Sequence, residues 1–130
     1  MLIQIGSTNR FIDCIEATTP EEQAMGLRGA SALPPNAQGI PTGMLFVYDE
    51  EAPRRFFMPP DMRFPLDIVF IGENGKVTAV YDRCEPGEAA QFEGKAQWVL
   101  EIPSDLATAY EINLGTQIHF DDEEESEGLV

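Results

Sequence analysis

Basic residues are scarce in this chain: two lysines and six arginines stand against 23 acidic residues, for a formal net charge of −15. Sequence-independent binding to nucleic-acid phosphates or to anionic bilayers needs clustered Lys and Arg. Neither nucleic acid nor membrane is therefore expected as a partner. Cysteine occurs twice, at Cys14 and Cys84, and histidine once, at His119. No CxxC spacing or second histidine is present to build a zinc or redox site, and no GxSxG motif accompanies His119. The two cysteines read as buried thiols, with a disulfide as the alternative. Also missing are a phosphate-cradling Gly-rich loop, a P-loop lysine and a Rossmann fingerprint, so no metal and no cofactor is expected. No run of 18 apolar residues occurs, and Met-Leu-Ile-Gln-Ile-Gly lacks the basic and long apolar regions of a secretory signal. A cytoplasmic location follows as the expectation.

What the chain has is 130 residues with 43% hydrophobic content, enough for one core and one domain. Six of the acids, Asp121, Asp122, Glu123, Glu124, Glu125 and Glu127, crowd the last ten residues. The division is thus a domain over 1–120 and an acidic tail over 121–130, flexible because like charges repel. Solubility explains such a tail, and so does attraction to a basic partner. Halophilic adaptation is a further explanation of the overall charge.

Leu2 to Ile5 and Phe11 to Ala17 read as strands joined by the turn formers Gly6-Ser7-Thr8-Asn9. Thr19-Pro20-Glu21-Glu22 predicts a helix over 20–28, capped by Thr19, with Pro20 at the first position, Glu22 completing a capping box and Gly29 ending it. The prolines and glycines of 29–42 predict a long surface loop. Met44 to Tyr48 and Arg54 to Met58 read as a hairpin turning at Asp49 to Pro53. Leu66 to Ile71 and Val77 to Tyr81 read as another, with Asn74-Gly75 in a type I′ turn. Glu85 to Gly94 reads as a loop, Gln97 to Ile102 as a strand, Pro103-Ser104-Asp105 as the start of a short helix to about Tyr110, and Thr116 to Phe120 as the last strand. The fold class expected is mainly β (α+β), a small antiparallel barrel-like sheet with one or two short helices on its rim.

Six blocks occur in order: Thr19 with Gly26-Leu27, Gly43-Met44-Leu45-Phe46, Phe56-Phe57-Met58, Pro65-Leu66-Asp67, Leu100-Glu101-Ile102, and Gly115. Through them the chain resembles the domain of unknown function 192 family over roughly residues 10 to 120. These are small β-rich proteins of bacteria, archaea and some phages whose activity is not settled. The family usually has Trp where Phe57 stands and Lys-Asn-Thr after the Met, where this chain has Pro59-Pro60-Asp61.

Asp67, opening an apolar strand, must find a partner if buried; its structural role would be to cap a turn or pair with an arginine. Glu101, between Leu100 and Ile102, points opposite to both and faces solvent in its simplest reading. If the two carboxylates shared one cleft they could act as acid and base on an anionic or carbohydrate-like ligand, or hold a divalent cation. Arg28 and Arg55, with Asp67, are the candidates for binding a small anion. Met62 and Phe64 are the candidates for a partner-docking knob, provided 59–64 is an exposed loop.

With no catalytic constellation in view, the expected function is a non-catalytic binding or interaction module. It would use the 54–67 segment and the neighbouring proline-rich loop to recognise a protein partner. A small enzyme working through Asp67 and Glu101 is the alternative. An accessory component of a larger assembly is a third, such as a virion if the chain is phage-encoded.

Overall fold

The computed structural model describes residues 1–87 and 91–120. Seven strands and two short helices follow in the order β1 (Leu2–Ile5), β2 (Phe11–Ala17), α1 (Pro20–Met25), β3 (Thr42–Phe56), β4 (Leu66–Ile71), β5 (Val77–Cys84), β6 (Phe92–Pro103), α2 (Leu106–Ala109) and β7 (Ile118–Phe120). All seven strands belong to one sheet, ordered β5-β4-β6-β3-β2-β1-β7, which curls into a half-barrel. The mainly β, barrel-like class expected from the strand pattern is what forms. The two outer strands approach each other at one corner, where Lys76 bridges Gln117 and the Ile118 N–H donates to the Gly75 carbonyl at 2.8 Å.

Pairings are antiparallel except that of β2 with β3, where Asp13 to Ala17 runs parallel to Thr42 to Phe46. A parallel neighbour cannot be reached by a tight turn and needs a crossover. That requirement gives α1 and the proline-rich loop their place: together they carry the chain from β2 to β3. The capping box forms as read, with Thr19 accepting from the Glu22 amide at 3.1 Å and Glu22 accepting from the Thr19 amide at 3.1 Å. The helix stops at Gly26, not Gly29, because Gly26 already takes a positive φ of 52° while donating to the Glu22 carbonyl.

Three other local expectations are corrected. Residues 44–58 do not make a hairpin: β3 is one strand of 15 residues, held against β6 from Met44↔Glu101 to Phe56↔Phe92. The turn formers Asp49 to Glu51 are absorbed in an irregularity between Val47 and Ala52. Arg54 staples it, donating to the Ala96 and Glu50 carbonyls at 3.1 and 2.7 Å with its guanidinium 3.7 Å from the centre of the Tyr48 ring. Pro53 is tolerated because β2 has ended by then and, among the described residues, that edge of β3 has no strand to receive an N–H. β6 correspondingly begins at Phe92, inside the segment expected to be loop. At the Asn74-Gly75 turn only Gly75 has positive φ, 81°. A type I′ turn needs it at both central residues, so the hairpin instead uses a turn from Gly72 to Gly75, closed by a 2.8 Å bond, with the register shifting between Phe70 and Ile71.

Both faces of the sheet carry a core. On one, Ile3, Ile12, Leu45, Val69, Leu100 and Ile102 pack with Ala107 of α2. On the other, Phe46, Leu66, Ile68, Phe70 and Val99 pack with Leu27, Met58 and Met62, which follow α1 and β3. All six residues of β4 are buried, which is why its sequence is nearly continuous in apolar side chains rather than alternating. Cys14 and Cys84 are both buried and no disulfide joins them; burial pushes the Cys14 thiol up to about 12. The acidic tail, 121–130, lies outside the described residues.

Candidate functional site

A cleft of about 370 Å³ opens on the second face. Its floor is the sheet, where Phe46 of β3 and Glu101 of β6 present their side chains. One wall is the end of α1 and the Gly26-Leu27-Arg28 that follows it; the other is the end of β3 with the Phe57-to-Met62 segment. Several local choices hold this shape. Gln23 ties α1 down by donating to the Ala17 and Val47 carbonyls at 3.1 and 2.9 Å. Arg28 donates twice to Asp61 Oδ2, at 3.2 and 3.1 Å, joining the two walls at the mouth. Phe46 and Phe56 meet edge to face with ring centres 4.9 Å apart. Met25 and Phe57 leave apolar surface at the rim, 60% and 61% exposed.

Glu101 is the unusual group. It is 6% exposed, and its carboxyl makes no hydrogen bond and no ion pair among the described residues. Burial alone pushes its pKa up to about 7, since ionising a carboxyl away from water is unfavourable. Tyr48 lines the same cleft; its hydroxyl is pushed up mainly by burial, with the Glu101 charge adding to the effect and Arg54 opposing it. The solvent-facing reading of Glu101 fails because α1 and the segment after β3 cover that part of the sheet.

Asp67 does something different. It is fully buried and accepts from the backbone N–H groups of Arg83 (2.9 Å), Asp105 (3.2 Å) and Ala107 (2.9 Å). Arg83 and Asp105 both have positive φ, 52° and 76°, and their side chains pair at 2.7 and 3.0 Å. Asp105 makes no side-chain cap for α2, so Asp67 supplies the acceptor at that helix start from a neighbouring strand. Burial raises the Asp67 pKa, and the three amides pull it back.

The two carboxylates do not share a cleft. In the β4–β6 ladder Asp67 sits opposite Ile102 and Ile68 opposite Glu101, so Asp67 and Glu101 point to opposite faces. Arg28 and Arg55 both line the Glu101 cleft, but Asp67 is on the other side of the sheet from them. Arg55 lies 3.8 Å from Glu93, so both rim arginines already have carboxylate partners. Met62 is buried at 6% exposure and Phe64 is half-buried against the same core; an exposed knob does not form, because the segment folds back onto β4. His119 stands on β7 opposite Gln4, far along the sheet. A wider, more polar depression of about 520 Å³ beside β5 and residues 111–114 has no buried titratable side chain in its lining.

Gln23, Phe46 and Tyr48 are not among the candidate site residues read from the sequence, although Phe46 belongs to one of the six blocks. The alternation of Met44, Phe46 and Tyr48 along one strand face was the available signal, but nothing local says that this face carries a cleft.

Four of the six sequence blocks contribute to this cleft, through Gly26-Leu27, Phe46, Phe56-Phe57-Met58 and Glu101. No curated protein matches the chain. Two solved structures share its fold. A candidate transcription regulator from Sinorhizobium meliloti superposes with a TM-score of 0.79 at 20% identity over 91% of each chain. A protein of unknown function from Novosphingobium aromaticivorans does so with a TM-score of 0.80 at 25% identity, over 92% of this chain and 84% of the other. The model of an uncharacterised family, domain of unknown function 192, matches residues 1–120. The chain belongs to that family.

Proposed function

We propose that this protein is a non-catalytic binding module whose recognition element is the cleft over Glu101. The observation that carries this is Glu101 itself, a buried carboxyl without a polar partner among the described residues. Leaving a buried polar group unsatisfied costs about 1–3 kcal/mol, and a ligand that bonds to it recovers part of that on binding. The surroundings suit a small molecule or the tip of a larger partner: an apolar lining, few polar groups, and a volume of about 370 Å³ within the range of ligand sites.

The test is native mass spectrometry of the full chain purified from its own source, wild type beside Glu101→Leu. A stoichiometric bound species present in the wild type and absent from the variant is the expected result. Bare wild-type protein that also shows no shift of its Met58 and Met62 methyl resonances in a fragment screen would overturn the reading.

A second reading rests on the same geometry: a carboxyl whose pKa burial pushes up to about 7, at the floor of an open cleft, is poised to exchange a proton at neutral pH. An enzyme built on Glu101 alone would show a turnover lost in Glu101→Gln with thermal stability equal to or above that of the wild type.

A further inference from the structure

We infer that the ligand class of this cleft is an organic cation, an alkylammonium head seated against Glu101 with its apolar stem between Leu27, Phe46 and Met58. The inference rests on the cleft reading above and narrows it to one chemistry.

Three kinds of ligand head could meet a buried carboxyl. An anion is opposed by Glu101 whenever that group is ionised. The arginines able to offset this, Arg28 and Arg55, are already matched with Asp61 and Glu93. The chain as a whole, at −15, also repels anions on approach. A neutral head gains nothing from the surrounding charge: a carbonyl can bond only to the protonated carboxyl, and an alcohol, which both donates and accepts, can bond to either form. A cation gains in three ways. It pairs with the carboxylate in a site shielded from water, where Coulomb attraction is strong. It enters a cleft lined by the aromatic residues Phe46, Phe56 and Tyr48, and aromatic rings attract positive charge over their faces. It is drawn in by the field of an acidic molecule. The Tyr48 ring already carries the Arg54 guanidinium, 3.7 Å from its centre, which leaves Phe46 and Phe56 as the rings for the ligand. The apolar lining excludes a bare metal ion, which would need several oxygen ligands where the cleft offers one carboxylate, and no cluster of three or more metal-ligating side chains occurs among the described residues.

Among the described residues, the charged and titratable groups that line the cleft with Glu101 are Tyr48 and Arg55 of β3 and Arg28, after α1; Arg54 of β3 stands beside them, its guanidinium 3.7 Å from the centre of the Tyr48 ring. Among the described residues no second carboxylate and no histidine lines the cleft. A cation that requires the ionised carboxyl must therefore displace its proton. Binding strengthens as pH rises toward the pKa of about 7 and levels off above it. A carbonyl shows the reverse.

The experiment uses the full chain labelled at its methionine methyls and titrated with n-hexylamine, 1-hexanol and hexanoate at about pH 5.5 and about pH 8, with Glu101→Gln in parallel. Met25, Met58 and Met62 line the cleft and Met1 lies on the opposite core as an internal control. The expected result is shifts at the three cleft methyls with hexylamine, and an affinity about 30-fold higher at the upper pH, with that pH dependence gone in Glu101→Gln. Hexanol or hexanoate binding at the cleft as tightly as hexylamine overturns the cation while leaving the cleft a ligand site. Hexylamine binding that ignores pH or the Glu101→Gln change also overturns it. No shift with any of the three overturns both the cation and the cleft. A blocked Gly-Lys-Gly peptide separates the two sources of this chemistry: binding tighter than hexylamine assigns the cation to a lysine of a partner protein, weaker binding to a free small amine, and either supports the inference.

Discussion

Gly43 presses its bare Cα against the backbone of Glu101: a Cβ at that position would stand 2.6 Å from the Glu101 carbonyl oxygen and 2.9 Å from Ile102 Cγ2. The contact lets β3 and β6 approach where the floor of the cleft is built. Gly43→Ala places a methyl against backbone that cannot rotate away, so β3 and β6 must shift. A loss of about 1–3 kcal/mol in urea denaturation is expected. It should be accompanied by altered shifts at Met58 and Met62; an unchanged midpoint would mean that the strands part freely there.

Replacing Asp67 is expected to be the more damaging of the two carboxylate changes. Asp67→Ala leaves the amides of Arg83, Asp105 and Ala107 without their buried acceptor, at about 1–3 kcal/mol for each group, so a total of at least about 3 kcal/mol should be lost. Asp67→Asn keeps one acceptor oxygen and should lose less. Because Asp67 faces away from the cleft, ligand affinity of whatever remains folded should be unchanged, which calorimetry on Asp67→Asn checks.

Glu101 should make the protein less stable as pH rises. Its folded pKa, about 7, lies above its usual value of 4.5. The folded state therefore holds a proton that the unfolded state has released, and stability falls between those two pH values and levels above the higher one. The full difference amounts to about 3 kcal/mol. Glu101→Gln removes it: variant and wild type should differ little near pH 4, with the variant the more stable by up to about 3 kcal/mol at pH 8. Parallel denaturation curves across that range check the sign, and a difference that does not grow with pH would place a partner on Glu101.

Thr19→Ala removes the hydroxyl that accepts from the Glu22 amide and should cost about 1 kcal/mol. The effect should be local. α1 is six residues long with none buried, so hydrogen exchange at the Gln23 and Gly26 amides should accelerate while amides in β4 stay protected.

Much of this molecule is determined by local chemistry. The capping box at Thr19 and Glu22, the ribbon of β1 and β2, the sharp reversal near Gly75 and the unbroken apolar run of β4 each follow from residues within a few positions of one another, where conformational preference and periodicity act directly. The six blocks that mark the family were also legible, and four of them meet at the cleft. Local chemistry did not determine that Asp49 to Pro53 would be absorbed into a long β3 instead of reversing the chain, because that depends on β6, some 40 residues away, offering a continuous partner. Nor did it determine the roles of Asp67 and Glu101. Strand side chains alternate with a period of two, so a slip of one residue between β4 and β6 would have put both carboxylates on one face. The register observed, Asp67 opposite Ile102 and Glu101 opposite Ile68, is set by packing both faces of β4 at once. It is that packing which makes one carboxyl a fully bonded support for α2 and leaves the other without a partner at the floor of a cleft.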